Sequence, residues 1–141
     1  MRVTSRRRLP ATPAAVWKLL AEPYHLTDWW PGYAGVEPDR KGVSPGARWQ
    51  VARTRRPGLV RKPGAEGLIV IERVEVEREL AWSDLAQRFD VQVQLEPDAG
   101  GTTVEVAVDA AWWRLLGEGL RTVPKRALLR LERLCDTASS L

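Results

Sequence analysis

An α+β fold, with a curved antiparallel sheet wrapped around one long C-terminal helix, is predicted by three features of this 141-residue chain. From Ala47 to Ala110 apolar residues recur with a period of two, the spacing of strands. From Leu116 onward they recur every three or four residues, the spacing of a helix. Between an opening strand and this middle region, Ala11 to Tyr33 carries the stop and start signals of two short helices. The length suits one domain, residues 1–141.

The elements follow in order. Val3, Ser5, Arg7 and Leu9 share one parity and make Arg2 to Leu9 a strand, with Arg7 where an apolar residue is expected. Thr12 is an N-cap and Pro13 the first helical residue of a helix whose apolar face is Val16, Trp17, Leu19 and Leu20. Glu22-Pro23 stops it, because a residue before proline avoids helical geometry. A second short helix runs from Pro23 to about Trp29, and Pro31-Gly32 ends it. Gly42 to Gly46 is a turn.

The strand faces are then read by alternation. Ala47, Trp49, Val51 and Arg53 share one; Leu68, Val70, Glu72, Val74 and Val76 the next, extended by Leu80 and Trp82. Phe89, Val91, Val93 and Leu95 follow, then Val104, Val106, Val108 and Ala110. Asp90, Gln92, Gln94, Glu105 and Asp109 point the other way, so the sheet has one dry and one wet face. Pro97 to Gly101 is a hairpin turn, and the short connections imply an antiparallel meander. The last helix carries Leu116, Leu120, Val123, Ala127, Leu131 and Leu134 on its stripe, widened by Leu128 and Cys135. Gly117, Gly119 and Pro124 weaken its first half and predict a kink or break near Pro124.

Composition excludes several classes. The chain is 44% hydrophobic and 28% charged, which suits a globular core rather than a disordered chain. One cysteine, Cys135, excludes an internal disulfide and fits a reducing, cytoplasmic setting. No apolar run approaches the roughly 20 residues that span a bilayer. The basic start at Arg2, Arg6, Arg7 and Arg8 lacks the apolar segment of a signal peptide, so a soluble, unexported protein is expected. The net charge is +4 and the densest basic run is Arg53 to Lys62. It reads as a solvated hairpin loop or as a contact for an anionic partner or a ligand acid group. No nucleic acid is expected, because no recognition module accompanies it. No metal or other cofactor is expected, since no Cys/His cluster or phosphate-cradling glycine loop is present.

The order of strand, two short helices, antiparallel strands and long helix is the helix-grip order. With Ala11, Pro13, Val16, Trp17, Glu22, Pro23, Trp30 and Pro31, the chain resembles the START-like (SRPBCC) superfamily, in particular its polyketide cyclase/dehydrase and lipid-transport type. Pro45-Gly46-Ala47, Leu80-Ala81-Trp82, Leu95-Glu96-Pro97 and Gly100-Gly101-Thr102 extend the resemblance along the whole chain. It implies a cavity between sheet and helix, lined with apolar residues, that takes a hydrophobic small molecule, with the two short helices closing one end. That molecule is the expected partner, and a homodimer is the other candidate association.

Inward parity nominates Trp49, Val51, Val70, Trp82, Phe89 and Val91 from the sheet and Leu116 and Leu120 from the helix as cavity lining, or else as core. Trp30 and Tyr33 either gate the cavity or plug it. Arg7, Arg53 and Glu72 are charges on inward parity, which are costly to bury unpaired. They are read as orienting a polar ligand group, as paired with each other, or as turned outward by a bulge. His25 and Asp28, three apart on a helix, are an acid/base pair or an exposed contact. Three functions fit: a carrier of a lipid- or polyketide-like molecule, a polyketide cyclase/dehydratase-type enzyme, and an interaction module using the basic surface.

Overall fold

The computed structural model describes residues 1–53, 66–117 and 119–139. The basic run therefore lies, from Thr54 onward, outside the described residues. Strand β1 (Arg2–Leu9) leads to α1 (Pro13–Leu20), a 3-10 turn at Pro23–His25 and α2 (Leu26–Trp29). Strands β2 (Tyr33–Glu37), β3 (Arg48–Arg53), β4 (Glu66–Glu75), β5 (Glu79–Asp84), β6 (Phe89–Asp98) and β7 (Gly101–Ala110) follow. Helix α3 (Trp112–Gly117), a 3-10 turn at Leu120–Thr122 and α4 (Val123–Ser139) close the chain.

One seven-stranded antiparallel sheet results, in the order β1-β7-β6-β5-β4-β3-β2. The meander runs from β2 to β7, and the first strand closes onto the last, Val3 opposite Val108. Helix α4 packs along β1 and β7 on the concave side, and α1 and α2 pack against it. This is the helix-grip arrangement.

Local chemistry accounts for the elements. Thr12 Oγ1 accepts from the Ala15 N–H at 3.2 Å, and Pro13 opens α1. Glu22 caps the following turn by accepting from the Tyr24 N–H. The β6–β7 turn places Ala99 at φ 48° and Gly100 at φ 86°, the left-handed pair that a two-residue hairpin requires. The buried Thr102 hydroxyl donates to Ala11 O at 2.7 Å and ties the start of β7 to the chain entering α1. Strand β2 was not anticipated: Ala34-Gly35 interrupts its alternation, and it sits at the sheet edge beside β3 with a bulge between Tyr33 and Gly35.

Two expectations are corrected here. In β4 the buried residues are Ile69 and Ile71, not Leu68 and Val70, which are only half-buried, and Glu72 is exposed. A bulge between Ile71 and Arg73 inserts Glu72 as an extra residue. Val74, beyond it, pairs with Leu80 and packs on the core, so inward parity switches at Glu72. The last helix does not begin at Leu116, which is 58% exposed on α3. Gly119, at φ 72°, breaks the chain direction, and α4 begins anew at Val123. Pro124 lies in the first turn, where its missing N–H costs no helical hydrogen bond, so it starts a helix rather than kinking one.

Candidate ligand-binding site

The space gripped by sheet and helix is built on tryptophan. Trp29, Trp30, Trp49 and Trp82 come from α2, its C-cap, β3 and β5, and none is more than 2% exposed. Trp29, Trp30 and Trp82 meet edge to face at 5.1–5.9 Å between centroids, and Trp30 stacks on Phe89 at 6.3 Å with an 18° tilt. Tyr33 lies 6.2 Å from Trp30 on its other flank. These rings are as much plug as wall.

Above them opens a cleft of about 350 Å³. Its floor is Trp30, Tyr33 and Phe89, its apolar edge Leu120 of the 3-10 turn and Val123 at the start of α4, and its rim Arg126 and Arg130. That volume lies in the range of small-molecule sites, roughly 300–1,000 Å³. A larger depression of about 740 Å³ on the outer sheet face is lined mainly by charged residues such as Arg6, Glu75, Glu79 and Glu105. No aromatic ring lines it, whereas three floor the smaller cleft, which is the better candidate.

A polar pair is buried beside the floor. Tyr33 Oη donates to Asp84 Oδ2 at 2.8 Å, and Asp84 Oδ1 accepts from the Gln87 N–H at 2.8 Å. Asp84 is 2% exposed. Burial first, and then the charge and hydrogen bond of Asp84, raise the Tyr33 phenol well above its ordinary pKa. Trp82 and Arg53 pull weakly the other way. The Trp82 indole N–H favours the ionised phenol, though it makes no hydrogen bond. The buried Trp29 Nε1 also lacks a partner, whereas Trp49 Nε1 donates to Gly42 O at 2.9 Å.

Of the residues nominated from sequence, the cleft gathers Trp30, Tyr33, Phe89 and Leu120. Trp49, Val51, Trp82 and Val91 are buried in the same core but do not line this cleft. Val70 is half-buried, with its β4 neighbours Ile69 and Ile71 taking the inward positions. Arg53 is half-buried at the end of β3, opposite Tyr33.

Arg7 and Glu72 do not enter the site. Arg7 Nε donates to Glu132 Oε2 at 2.7 Å, so a charge on inward parity of the edge strand β1 is answered by α4. Glu72 is exposed by the bulge and lines a depression of the outer sheet face with Arg2 and Arg73. Leu116 is exposed on α3, outside the cleft. His25 Nδ1 meets Asp28 Oδ2 at 3.0 Å, both partly exposed at 40% and 49%. Neither lines the cleft. Cys135 is buried in α4, and burial with the nearby Asp136 and Glu132 pushes its thiol up to about 11.

Asp84 was missed from sequence. The signal was present: Leu80, Trp82 and Asp84 share one parity in β5, so a carboxylate had to face inward. Spacing alone puts Arg126 and Arg130 off the apolar stripe of the last helix and says no more. Their place at the cleft depends on how α4 lies against Trp30, which spacing within the helix does not reveal.

The comparisons agree with the fold. The family described as "Polyketide cyclase / dehydrase and lipid transport" matches residues 1–136. No curated protein matches the chain. Among solved structures, protein NE0264 from Nitrosomonas europaea is similar at TM-score 0.79 and 18% identity, covering 100% of this chain and 97% of its own. Protein MLL2253 from Mesorhizobium loti is similar at TM-score 0.76 and 18% identity, over 97% and 98% of the two chains. Ara h 8.0201 is similar at TM-score 0.74 and 15% identity, over 97% and 98%. Identities this low speak to fold alone. Among the described residues no helix is long and apolar enough to cross a membrane, and no cluster of His, Cys, Asp and Glu is arranged to hold a metal ion.

Proposed function

The chain belongs to the polyketide cyclase/dehydrase and lipid transport family, and on that premise we propose that it binds a hydrophobic small molecule, lipid- or polyketide-like, in the cleft between α4 and the aromatic floor. The observation that carries this reading is the cleft itself, about 350 Å³ over Trp30, Tyr33 and Phe89 with Leu120 and Val123 beside them. Planar rings on such a floor gain both burial and stacking.

A fluorescent-probe displacement assay against lipids and fused-ring aromatics tests the proposal. Wild type displaces the probe with at least one class, and Leu120→Trp, which fills the cleft, loses binding while still unfolding cooperatively. A folded wild type that binds nothing in the panel ends this reading.

One observation favours a second reading, catalysis of the cyclase/dehydratase kind. Tyr33 lies on the cleft with its phenol hydrogen-bonded to the buried Asp84, which sets a polar pair beside the ring floor as a hydrogen-bonding partner for a carbonyl or hydroxyl. Orientation on the ring floor would supply much of the rate. Under this reading Tyr33→Phe retains ligand binding and loses turnover of a cyclisable poly-β-ketone. Equal turnover by Tyr33→Phe and wild type eliminates it.

A further inference from the structure

Arginines 126 and 130 stand one turn apart on α4, so their side chains share a flank of the helix. Both reach the rim of the cleft, Arg126 exposed and Arg130 half-buried. Like charges at this spacing repel. Among the described residues neither makes an ion pair or a side-chain hydrogen bond. Glu132 of α4 falls on the opposite flank and is taken by Arg7.

The helix terminus adds to the imbalance. The first turn of α4 holds no acidic residue and does hold Lys125 and Arg126. Helix N-termini carry positive partial charge and favour anions, so basic residues there oppose the macrodipole. Arg126, Arg130 and the start of α4 thus bring positive potential to one edge of an aromatic-floored cleft whose lining, among the described residues, holds no acidic side chain.

We infer that the cleft takes an amphiphile with a planar aromatic body and an oxyanion, its rings on Trp30 and Phe89 and its anionic group between Arg126 and Arg130. The inference rests on the ligand-binding reading above and adds the ligand's charge and its orientation. Guanidinium forks bind carboxylate and phosphate oxygens in pairs of parallel hydrogen bonds, so two of them fix an oxyanion's direction as well as its charge. The apolar end then points toward the tryptophans and the charged end toward water.

Titration of the full chain with three probes tests this: 2-naphthylacetate, 2-naphthyl phosphate and the neutral isostere 2-naphthylacetamide. The expected result is that the anions bind at least about tenfold tighter than the amide at low salt, with the advantage shrinking as salt rises. Arg126→Gln and Arg130→Gln each weaken the anions several-fold, and the double variant removes the preference, weakening the amide far less than the anions. A larger advantage for the phosphate assigns the site to phosphorylated ligands, and a larger advantage for the acetate assigns it to carboxylic acids; both uphold the inference. Equal binding of anion and amide, or a preference that survives in the double variant, overturns the inference and leaves the hydrophobic site standing. Binding of none of the three, by a wild type shown to be folded, overturns both.

Discussion

The Tyr33 phenol donates to Asp84 across 51 residues of sequence, and the two side chains are 3% and 2% exposed. This single bond joins the edge strand β2 to the middle of the sheet at β5. Tyr33→Phe leaves Asp84 Oδ2 buried without its donor, at a cost of about 1–3 kcal/mol in urea unfolding at neutral pH. A pKa raised in the folded state means stability is fully present below the unfolded value of roughly 10 and is lost as pH rises from there through the folded value. Wild type should therefore weaken in alkali, and Tyr33→Phe should lack that component of the slope. Identical alkaline limbs would show that the phenol does not titrate differently on folding.

Glu132 gives the opposite sign. The hydrogen bond from Arg7, with its charge, holds this carboxyl below the usual range. Its stabilising contribution is present above the unfolded value of roughly 4.3 and lost as pH falls through the folded one. Glu132→Gln should flatten the acid limb of stability against pH, and added salt should shrink the difference, since both partners are partly exposed. An acid limb unchanged by the substitution would mean the pair is only a contact.

Cys135 should resist thiol reagents in the folded protein. With its pKa near 11, only about one thiol in a thousand is ionised at pH 8, and the side chain is 5% exposed. Labelling should proceed at the rate of unfolding and become fast in denaturant. Rapid labelling of native protein would place the C-terminal half of α4 away from the sheet.

Gly101→Ala should be costly. A Cβ there would lie 2.5 Å from the Leu9 carbonyl and 2.9 Å from the Arg8 guanidinium. The guanidinium can move away, but the carbonyl belongs to the β1–β7 ladder and cannot. Overpacking of this kind costs about 1–3 kcal/mol, or roughly 3–10 °C in thermal midpoint for a chain of this length. A wild-type midpoint would mean that the end of β1 is loosely paired.

Much of the architecture was legible from local signals. The cap at Thr12, the hairpin at Ala99-Gly100 and the stripe of α4 are each written within a few residues. The errors arose where one inserted or left-handed residue resets a period. Glu72 flips the phase of β4, so counting through it assigns Leu68 and Val70 to the wrong face. Gly119 divides what reads as one weak helix into two, which strands Leu116 in solvent. The site was less legible than the fold, because Tyr33 with Asp84, and Arg126 and Arg130 with Trp30, are brought together only by the closing of the sheet around α4.

The pairing of β1 with β7 also sets an order of events at the ribosome. Residues 2–9 leave the exit tunnel first and have no ladder to join until residues 101–110 follow. At about 5–20 residues per second that interval is on the order of 5–20 s. An apolar strand left unpaired for so long is a template for aggregation. Here the waiting strand carries Arg2, Arg6, Arg7 and Arg8, with Val3 and Leu9 as its only large apolar side chains. The same arginines that blur its alternation keep the nascent chain in solution until its partner is made.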